Sequence, residues 1–162
     1  MYSRVYVEIT NICNKSCSFC PGHERNPEMM NKEQFEVILE RLEDVTKYIY
    51  YHLMGEPLLH PDLPCFIKMA NQRGFLSAVT TNGSLIGDVG DALIDAGVYK
   101  VNISVHSFED EDSEGLEKYI NSCVEFADKA SRAGVLVVFR LWNNGCDNGR
   151  NEYIVDLLKQ RF

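Results

Sequence analysis

The chain has 162 residues, of which 45% are hydrophobic and 25% are charged, and its formal net charge is −8. This composition predicts one globular domain with its own core. No segment approaches the ~20 consecutive apolar residues that a transmembrane helix needs, and the acidic balance argues against a nucleic-acid-binding surface. The start of the chain lacks the apolar stretch of a secretory signal, so its six cysteines indicate a reducing, cytoplasmic setting and metal ligation rather than disulfides.

The first third of the chain alternates strand-like and helix-like segments. A first strand is predicted over residues 4–9, and a cysteine-containing loop follows it. Asn31 and Gln34 have the spacing of a capping box. The helix that this box opens has an apolar stripe with the spacing i, i+3, i+4, i+7, formed by Phe35, Ile38, Leu39 and Leu42. The aromatic and apolar segment 48–53 predicts a second strand.

The same alternation continues to the end of the chain. Strands are predicted over residues 75–80, 99–105 and 135–141. Helices are predicted over residues 62–73, 91–96 and 152–159, and a longer one has an apolar stripe from residue 116 to residue 130. Strands that alternate with helices indicate βαβ units and a parallel sheet. The continuous apolar runs of the last two strands indicate that both of their faces are covered.

The most distinctive residues come directly after the predicted strands. In parallel α/β sheets, ligands gather beyond these carboxyl ends. The first strand is followed by Cys13, Cys17 and Cys20, the second by Met54-Gly55-Glu56-Pro57, the third by Thr81-Asn82-Gly83 and the fourth by Ser104 and His106, while Arg140 lies in the fifth. The chemistry of this chain is therefore expected at one edge of the sheet.

The three clustered cysteines have the spacing C-x3-C-x2-C. Iron-sulfur clusters normally take four Cys ligands, so a loop that supplies three can hold a [4Fe-4S] cluster with one iron open to a non-protein ligand. A structural zinc site wants four ligands, often as paired half-sites. The remaining cysteines and the nearby histidines are scattered, namely Cys65, Cys123, Cys146, His23 and His60. The triplet favours a cluster, and a zinc-binding structural domain is the more remote hypothesis.

With Phe19 just before its last cysteine, this run resembles the signature of the radical SAM superfamily. The Gly55-Glu56-Pro57 segment is similar to the family's Gly-Gly-Glu-Pro motif, with Met54 in the place of the first glycine, and Asn82 lies in a Thr-Asn-Gly that also looks like the family. The resemblance implies an α/β fold, a partial (βα) barrel of parallel strands in which about five of the usual six βα units are visible. We expect residues 1–162 to be a radical SAM core domain, in a fragment or truncated form.

The resemblance also implies a role for each motif. Cys13, Cys17 and Cys20 would ligate the [4Fe-4S] cluster. Gly55, Glu56 and Pro57 would form the site for the amino group of S-adenosyl-L-methionine (SAM). Contacts to the rest of SAM or to substrate would come from Phe19 near the adenine, Asn82, Ser104 at the ribose or carboxylate, and Trp142 and Asn143 near the adenosine.

Several residues keep alternative interpretations. Arg140 either binds the SAM carboxylate or pairs with a structural Asp or Glu, because a cation buried without a partner is costly. His106 either faces substrate or is an ordinary turn residue. Residues His23, Glu24 and Arg25 either cover the cluster or form a solvated loop, and Cys146 is a candidate auxiliary ligand.

The implied activity is that of an oxygen-sensitive radical SAM enzyme. SAM would be cleaved reductively to methionine and a 5′-deoxyadenosyl radical, which abstracts hydrogen from an unknown substrate, a small molecule, peptide or protein. This requires a one-electron donor such as flavodoxin or ferredoxin. The alternative is a non-catalytic iron-sulfur module, a truncated core that holds a cluster without cleaving SAM.

Overall fold

The computed structural model of the chain describes residues 2–109, 113–141 and 150–161. Within them, five strands form one sheet, and every neighbouring pair is parallel. The strands follow one another across the sheet in chain order: β1 (Val5–Val7), β2 (Tyr48–Tyr51), β3 (Leu76–Thr81), β4 (Lys100–Ser104) and β5 (Leu136–Arg140). The parallel α/β architecture expected from the sequence is confirmed.

A helix follows each strand: α1 (Lys32–Leu42), α2 (Leu63–Gln72), α3 (Ile86–Asp95), α4 (Ser113–Arg132) and α5 (Arg150–Lys159). Short 3-10 turns at Pro57–Leu59 and Val105–Ser107 follow β2 and β4. The capping box predicted for α1 is present. The Asn31 side chain accepts a hydrogen bond from the Gln34 amide at 2.8 Å, and the Gln34 side chain accepts one from the Asn31 amide at 2.9 Å.

Helix α3 begins at Ile86, earlier than the predicted start at residue 91. Two glycines in its first turns, Gly87 and Gly90, made the sequence look unlike a helix there. The structure gives the reason for one of them, because a Cβ atom on Gly90 would lie 2.5 Å from the Phe126 ring of α4. Tertiary packing of α3 on α4 thus outweighs the low helix propensity of glycine.

The chain order of the strands explains why the helices lie on one face of the sheet. Crossovers between parallel strands are right-handed, so strands that follow in order place all their helices on the same side. The covered face carries the core, including the fully buried Ile49, Tyr51, Val101 and Ile103. None of the helices in the described ranges is long and apolar enough to cross a membrane.

Strand β5 departs from the prediction that both of its faces are covered. Its residues alternate: Val137 and Phe139 pack against the core, whereas Leu136 is 50% exposed and Val138 is 38% exposed. Only β4 neighbours β5 in the described sheet, and side chains of a strand point to opposite faces in turn. An apolar run in the sequence does not distinguish such a strand from a central one.

Candidate functional site

The carboxyl ends of the strands and the loop after β1 surround a cavity of about 650 Å³. All three clustered cysteines contribute to its wall. Phe19 of the same loop also lines the cavity. Further parts of the wall come from the ends of β2 to β5, and the predicted site residues among them are Gly55, Glu56, Asn82, Ser104 and Arg140. The motifs that are separated in the sequence therefore meet in one place, as expected for a parallel sheet.

The cysteine loop is closed at its base by hydrogen bonds between its two ends. Thr10 and Met29 form an isolated antiparallel bridge, and the Met30 amide donates to the Ile9 carbonyl at 2.8 Å. The Asn11 side chain accepts from the Glu28 amide and donates to the Asn26 carbonyl, both at 2.8 Å. This base, which we call the neck of the loop, holds the intervening cysteines above the sheet.

The residues after the last cysteine divide between the two interpretations given above. His23 lines the cavity and its Nε2 lies 2.8 Å from the Asn11 carbonyl oxygen. Arg25 points elsewhere and pairs with Glu8 at 2.5 Å, while Glu24 is exposed. His23 therefore belongs to the site, whereas Arg25 anchors the loop to the end of β1.

The three thiols differ in their surroundings. Cys13 and Cys20 are exposed, and Cys17 is half-buried. Cys13 Sγ accepts a hydrogen bond from the Lys15 amide at 3.4 Å, and Cys17 Sγ lies 3.7 Å from the Ser107 carbonyl oxygen, to which the thiol donates. Burial is the main cause that raises the pKa of the Cys17 thiol, and the neighbouring Cys13 and Cys20 act in the same direction.

The donor set of this loop fits an iron-sulfur cluster. In the part of the chain that the structure describes, no three His, Cys, Asp or Glu side chains converge as the ligands of a single metal ion would. Three thiols that ligate a cluster need no such convergence, because each binds a different iron. The three cysteines here are free, stand on one loop and share one cavity wall.

Gly55 allows the loop after β2 to approach the cysteine loop. Its φ is +79°, and a Cβ atom there would lie 2.4 Å from the Thr10 carbonyl oxygen and 2.9 Å from Asn11 backbone atoms. The next amide, that of Glu56, donates to the Ile12 carbonyl at 2.7 Å. The conformation and the space both require glycine at this position.

The substitution of Met54 for the first glycine of the motif leaves this approach intact. Met54 is absent from the residues with positive φ, and its amide donates to Glu8 at 3.0 Å. The strain lies one residue earlier, at Leu53, whose φ of +123° is a conformation that favours glycine.

Glu56 is buried, and its carboxylate is fully engaged inside the protein. One oxygen accepts from the Leu58 amide at 3.0 Å and the Thr81 hydroxyl at 2.6 Å, and the other accepts from the Asn82 amide at 2.7 Å. Burial raises the pKa of Glu56, and these three donors oppose the rise without cancelling it. Pro57 is buried and begins the 3-10 turn after this segment. The carboxylate therefore ties the end of β2 to the end of β3.

Asn82 makes contacts through all four of its polar groups. Its amide donates to Glu56, and its carbonyl accepts from the Tyr119 hydroxyl at 2.6 Å. Its side-chain oxygen accepts from the Ser84 amide at 2.9 Å and hydroxyl at 2.7 Å. Its side-chain nitrogen donates to Asn14 at 2.9 Å and lies 3.9 Å from Cys13 Sγ. Asn82 thus connects β3 to the cysteine loop.

Ser104 and Arg140 stand level with each other on β4 and β5. Ser104 is 8% exposed, and its hydroxyl forms no hydrogen bond with another described residue. Arg140 is exposed, which corrects the expectation of a buried cation, because it lies on the face of β5 that the helices leave open. Within the described residues no carboxylate lies within ion-pair distance of Arg140.

Phe19 and His106 form the remaining side of the cavity. Their ring centroids lie 5.0 Å apart, and His106 Nδ1 lies 2.9 Å from the Arg140 carbonyl oxygen. Burial, and then the charge of Arg140, lowers the pKa of His52, and both also act to lower the pKa of His106. Trp142, Asn143 and Cys146 lie outside the described residues.

Sequence reasoning missed several residues that hold the site together: Glu8, Asn14, Ser84 and Tyr119. Asn14 and Ser84 gave a signal, since each is a polar residue next to a predicted site motif. Glu8 and Tyr119 act through contacts between distant segments; Tyr119, for example, lies on α4, where its spacing indicated only core packing.

Comparison with known proteins agrees with this geometry. Residues 7–142 match the family described as the Radical SAM superfamily. A probable GTP 3′,8-cyclase from Methanothermobacter marburgensis is 33% identical over 108 residues, which are 65% of this chain and 35% of that protein. The GTP 3′,8-cyclase of Aliarcobacter butzleri is 28% identical over 141 residues, which are 81% of this chain and 43% of that protein. The chain therefore spans less than half the length of these curated relatives.

Solved structures share the fold at low sequence identity. Streptococcus suis SuiB bound to S-adenosylmethionine matches with a TM-score of 0.73 and 16% identity, over 98% of this chain and 38% of that one. BtrN in complex with AdoMet and 2-DOIA matches with a TM-score of 0.67 and 23% identity, over 87% of this chain and 56% of that one. With the family match covering most of its residues, the chain belongs to the radical SAM superfamily of enzymes.

Proposed function

We propose that this chain is the core domain of a radical SAM enzyme. In this proposal Cys13, Cys17 and Cys20 hold a [4Fe-4S] cluster, and SAM occupies the adjoining cavity. The observation that carries the proposal is the shared wall. Three free cysteines of one loop line the same cavity as the Gly55 segment, Ser104 and Arg140, which come from three further strand ends.

The segment from Leu53 to Glu56 supplies the acceptors for the ammonium group of SAM. This ammonium needs oxygen atoms that are free to accept hydrogen bonds. Both Glu56 carboxylate oxygens already accept from protein donors, so the backbone carbonyls of the segment are the better candidates. The carboxylate of Glu56 then acts as the support that fixes their direction.

The opposite wall supplies donors for the carboxylate and the ribose. The Ser104 hydroxyl has no protein partner among the described residues, and the Arg140 guanidinium has no carboxylate partner there. An arginine binds a carboxylate in a bidentate manner. Phe19 and His106 add a tilted pair of rings beside this wall, suited to contact with the adenine.

When bound, the cluster and SAM supply one-electron cleavage of the sulfonium, which gives methionine and a 5′-deoxyadenosyl radical for hydrogen abstraction. The residues of this chain position the SAM atoms. The electron comes from an external donor such as a flavodoxin or ferredoxin. Exposure of two of the three cysteines makes the site sensitive to oxygen.

The names of the similar proteins suggest a substrate class for this chain. Two of them are named for cyclisation of GTP, a small molecule, and the chain covers 35% and 43% of their lengths. A small molecule is therefore the first substrate class to test, before peptides and proteins.

The test is anaerobic reconstitution of the chain with iron and sulfide, reduction with dithionite in the presence of SAM, and assay of 5′-deoxyadenosine. We expect product from the unchanged chain and none from Cys17→Ala. Cys65→Ala is the matched control, because Cys65 lies on α2, away from the cavity wall. Equal product from Cys17→Ala and Cys65→Ala would contradict the proposal.

A second candidate function is a module that holds the cluster without cleaving SAM. The exposed face of β5, which carries Leu136 and Val138 beside Arg140, favours it, because this side of the cavity is open. A cluster that forms and is reduced but yields no 5′-deoxyadenosine would support this second candidate.

A further inference from the structure

Asn82 is the best connected polar residue of the site, and its contacts point to a role at the cluster rather than at SAM. Both backbone groups and the side-chain oxygen are engaged by Glu56, Tyr119 and Ser84. The carboxamide is therefore fixed in both position and orientation. Only its NH₂ group faces the cysteine loop.

The NH₂ group has two hydrogens and two acceptors. The nitrogen donates one hydrogen to the Asn14 side-chain oxygen at 2.9 Å. The Cys13 Sγ, at 3.9 Å from the nitrogen, is the acceptor for the other. The amide orientation is consistent with its surroundings, because the oxygen side accepts from two donors of Ser84. A flipped amide would place NH₂ against the Ser84 backbone amide, which can only donate.

Cys13 differs from the other two cysteines in this respect. Its sulfur has two N–H donors, the Lys15 amide at 3.4 Å and Asn82. The sulfur of Cys17 instead faces the Ser107 carbonyl oxygen, and the described contacts include no donor to Cys20. Hydrogen bonds to cluster sulfurs help to set the reduction potential of the cluster.

We propose that Asn82 donates an N–H···S hydrogen bond to the Cys13 thiolate and thereby raises the reduction potential of the cluster. Donation to a thiolate stabilises the more negative, reduced form. This inference rests on the proposed function, because it requires the cluster to form on the three cysteines. It makes Asn82 a positioning and tuning residue, with no direct role in contacting SAM.

The experiment compares three variants after anaerobic reconstitution without SAM. Asn82→Ala removes the donor, and Asn82→Asp removes it while keeping an oxygen that accepts from Ser84. Asn14→Ala is the matched control, because it removes the loop partner at 2.9 Å and leaves the Asn82 donor in place. The readouts are iron content and the midpoint potential from a redox titration followed by electron paramagnetic resonance.

We expect both Asn82 variants to shift to a more negative midpoint potential, Asn82→Asp furthest because it also adds a negative charge. Asn14→Ala should keep the potential of the unchanged chain. An unchanged potential in the Asn82 variants, or an equal shift in Asn14→Ala, would overturn the inference while the cluster itself still forms. Failure of the unchanged chain to take up iron would instead overturn the proposed function.

Discussion

The two halves of the cavity wall differ in how their polar groups are satisfied. At the ends of β2 and β3, Glu56 and Asn82 are buried, and all the polar atoms of their side chains form hydrogen bonds within the protein. At the ends of β4 and β5, Ser104 and Arg140 offer groups that no described residue engages. The first half is built to hold the cysteine loop, and the second half is left to recognise a ligand.

This contrast predicts where substitutions damage the fold and where they damage only binding. Changes in the β2–β3 half should lower the free energy of unfolding. Changes in the β4–β5 half should leave stability nearly unchanged.

The largest expected effect is that of Gly55→Ala. The new Cβ would lie 2.4 Å from the Thr10 carbonyl oxygen, which is backbone and cannot move aside, and the φ of +79° adds strain. We expect a loss of about 3 kcal/mol in the free energy of unfolding and a large loss of iron uptake. Urea denaturation measures the first and iron analysis the second.

Gly134→Ala is the control for that substitution. It has a similar φ of +82°, but nothing lies within 4 Å of the added Cβ. We expect a loss of about 1 kcal/mol from backbone strain alone. Equal losses at the two positions would show that the contact between the loops is not what requires Gly55.

Glu56→Gln should have the next largest effect. The amide cannot accept from all three donors, so at least one buried N–H or O–H loses its partner, which costs about 1–3 kcal/mol.

The difference in stability between the unchanged chain and Glu56→Gln also depends on pH. Because burial raises the folded-state pKa of Glu56 above its ordinary value of 4.5, its contribution to stability is full below pH 4.5 and falls as the pH rises towards the folded-state pKa.

Denaturation of both proteins across this pH range measures that dependence. The advantage of the unchanged chain over Glu56→Gln should shrink as the pH rises above 4.5. An advantage that grows with pH would mean that the three donors outweigh burial.

Tyr119→Phe tests how much the hydrogen bond from α4 stabilises the position of Asn82. It removes the 2.6 Å hydrogen bond from the hydroxyl to the Asn82 carbonyl and leaves a buried acceptor without it. We expect a loss of about 1 kcal/mol in the free energy of unfolding. Tyr153→Phe, at a 42% exposed residue of α5, should change stability by less than about 0.5 kcal/mol.

The smallest effect on stability is expected for Arg140→Gln. The side chain is exposed and makes no ion pair with a described residue, so the free energy of unfolding should change by less than about 0.5 kcal/mol. The positive charge of Arg140 lowers the pKa of both His52 and His106, so its removal should raise both values. A proton NMR titration of the histidines measures this, and SAM binding should weaken at the same time.

The sequence predicted the elements more completely than their contacts. The alternation of strands and helices, the capping box at Asn31 and the gathering of motifs at strand ends follow from local patterns, and all are present. The predicted start of α3 and the predicted burial of both faces of β5 were wrong, because both depend on what lies next to these elements in space.

The candidate site shows the same division. The cysteines and the Gly55 segment were recognisable because the chemistry restricts the residue types there. The engagement of Glu56 by Thr81 and of Asn82 by Tyr119 joins segments far apart in the chain, and no spacing rule connects them. The expectation that Arg140 is buried came from its apolar neighbours, which point alternately to opposite faces.

The neck of the cysteine loop has a consequence for assembly. Because Thr10 is paired with Met29 and Asn11 bonds to both Asn26 and Glu28, the two ends of the loop are fixed by protein contacts alone. Fixing the ends of a flexible loop removes much of the conformational entropy that metal binding would otherwise have to overcome. We therefore expect iron to bind to a folded chain in which both ends of the loop are already in place, rather than to drive its folding.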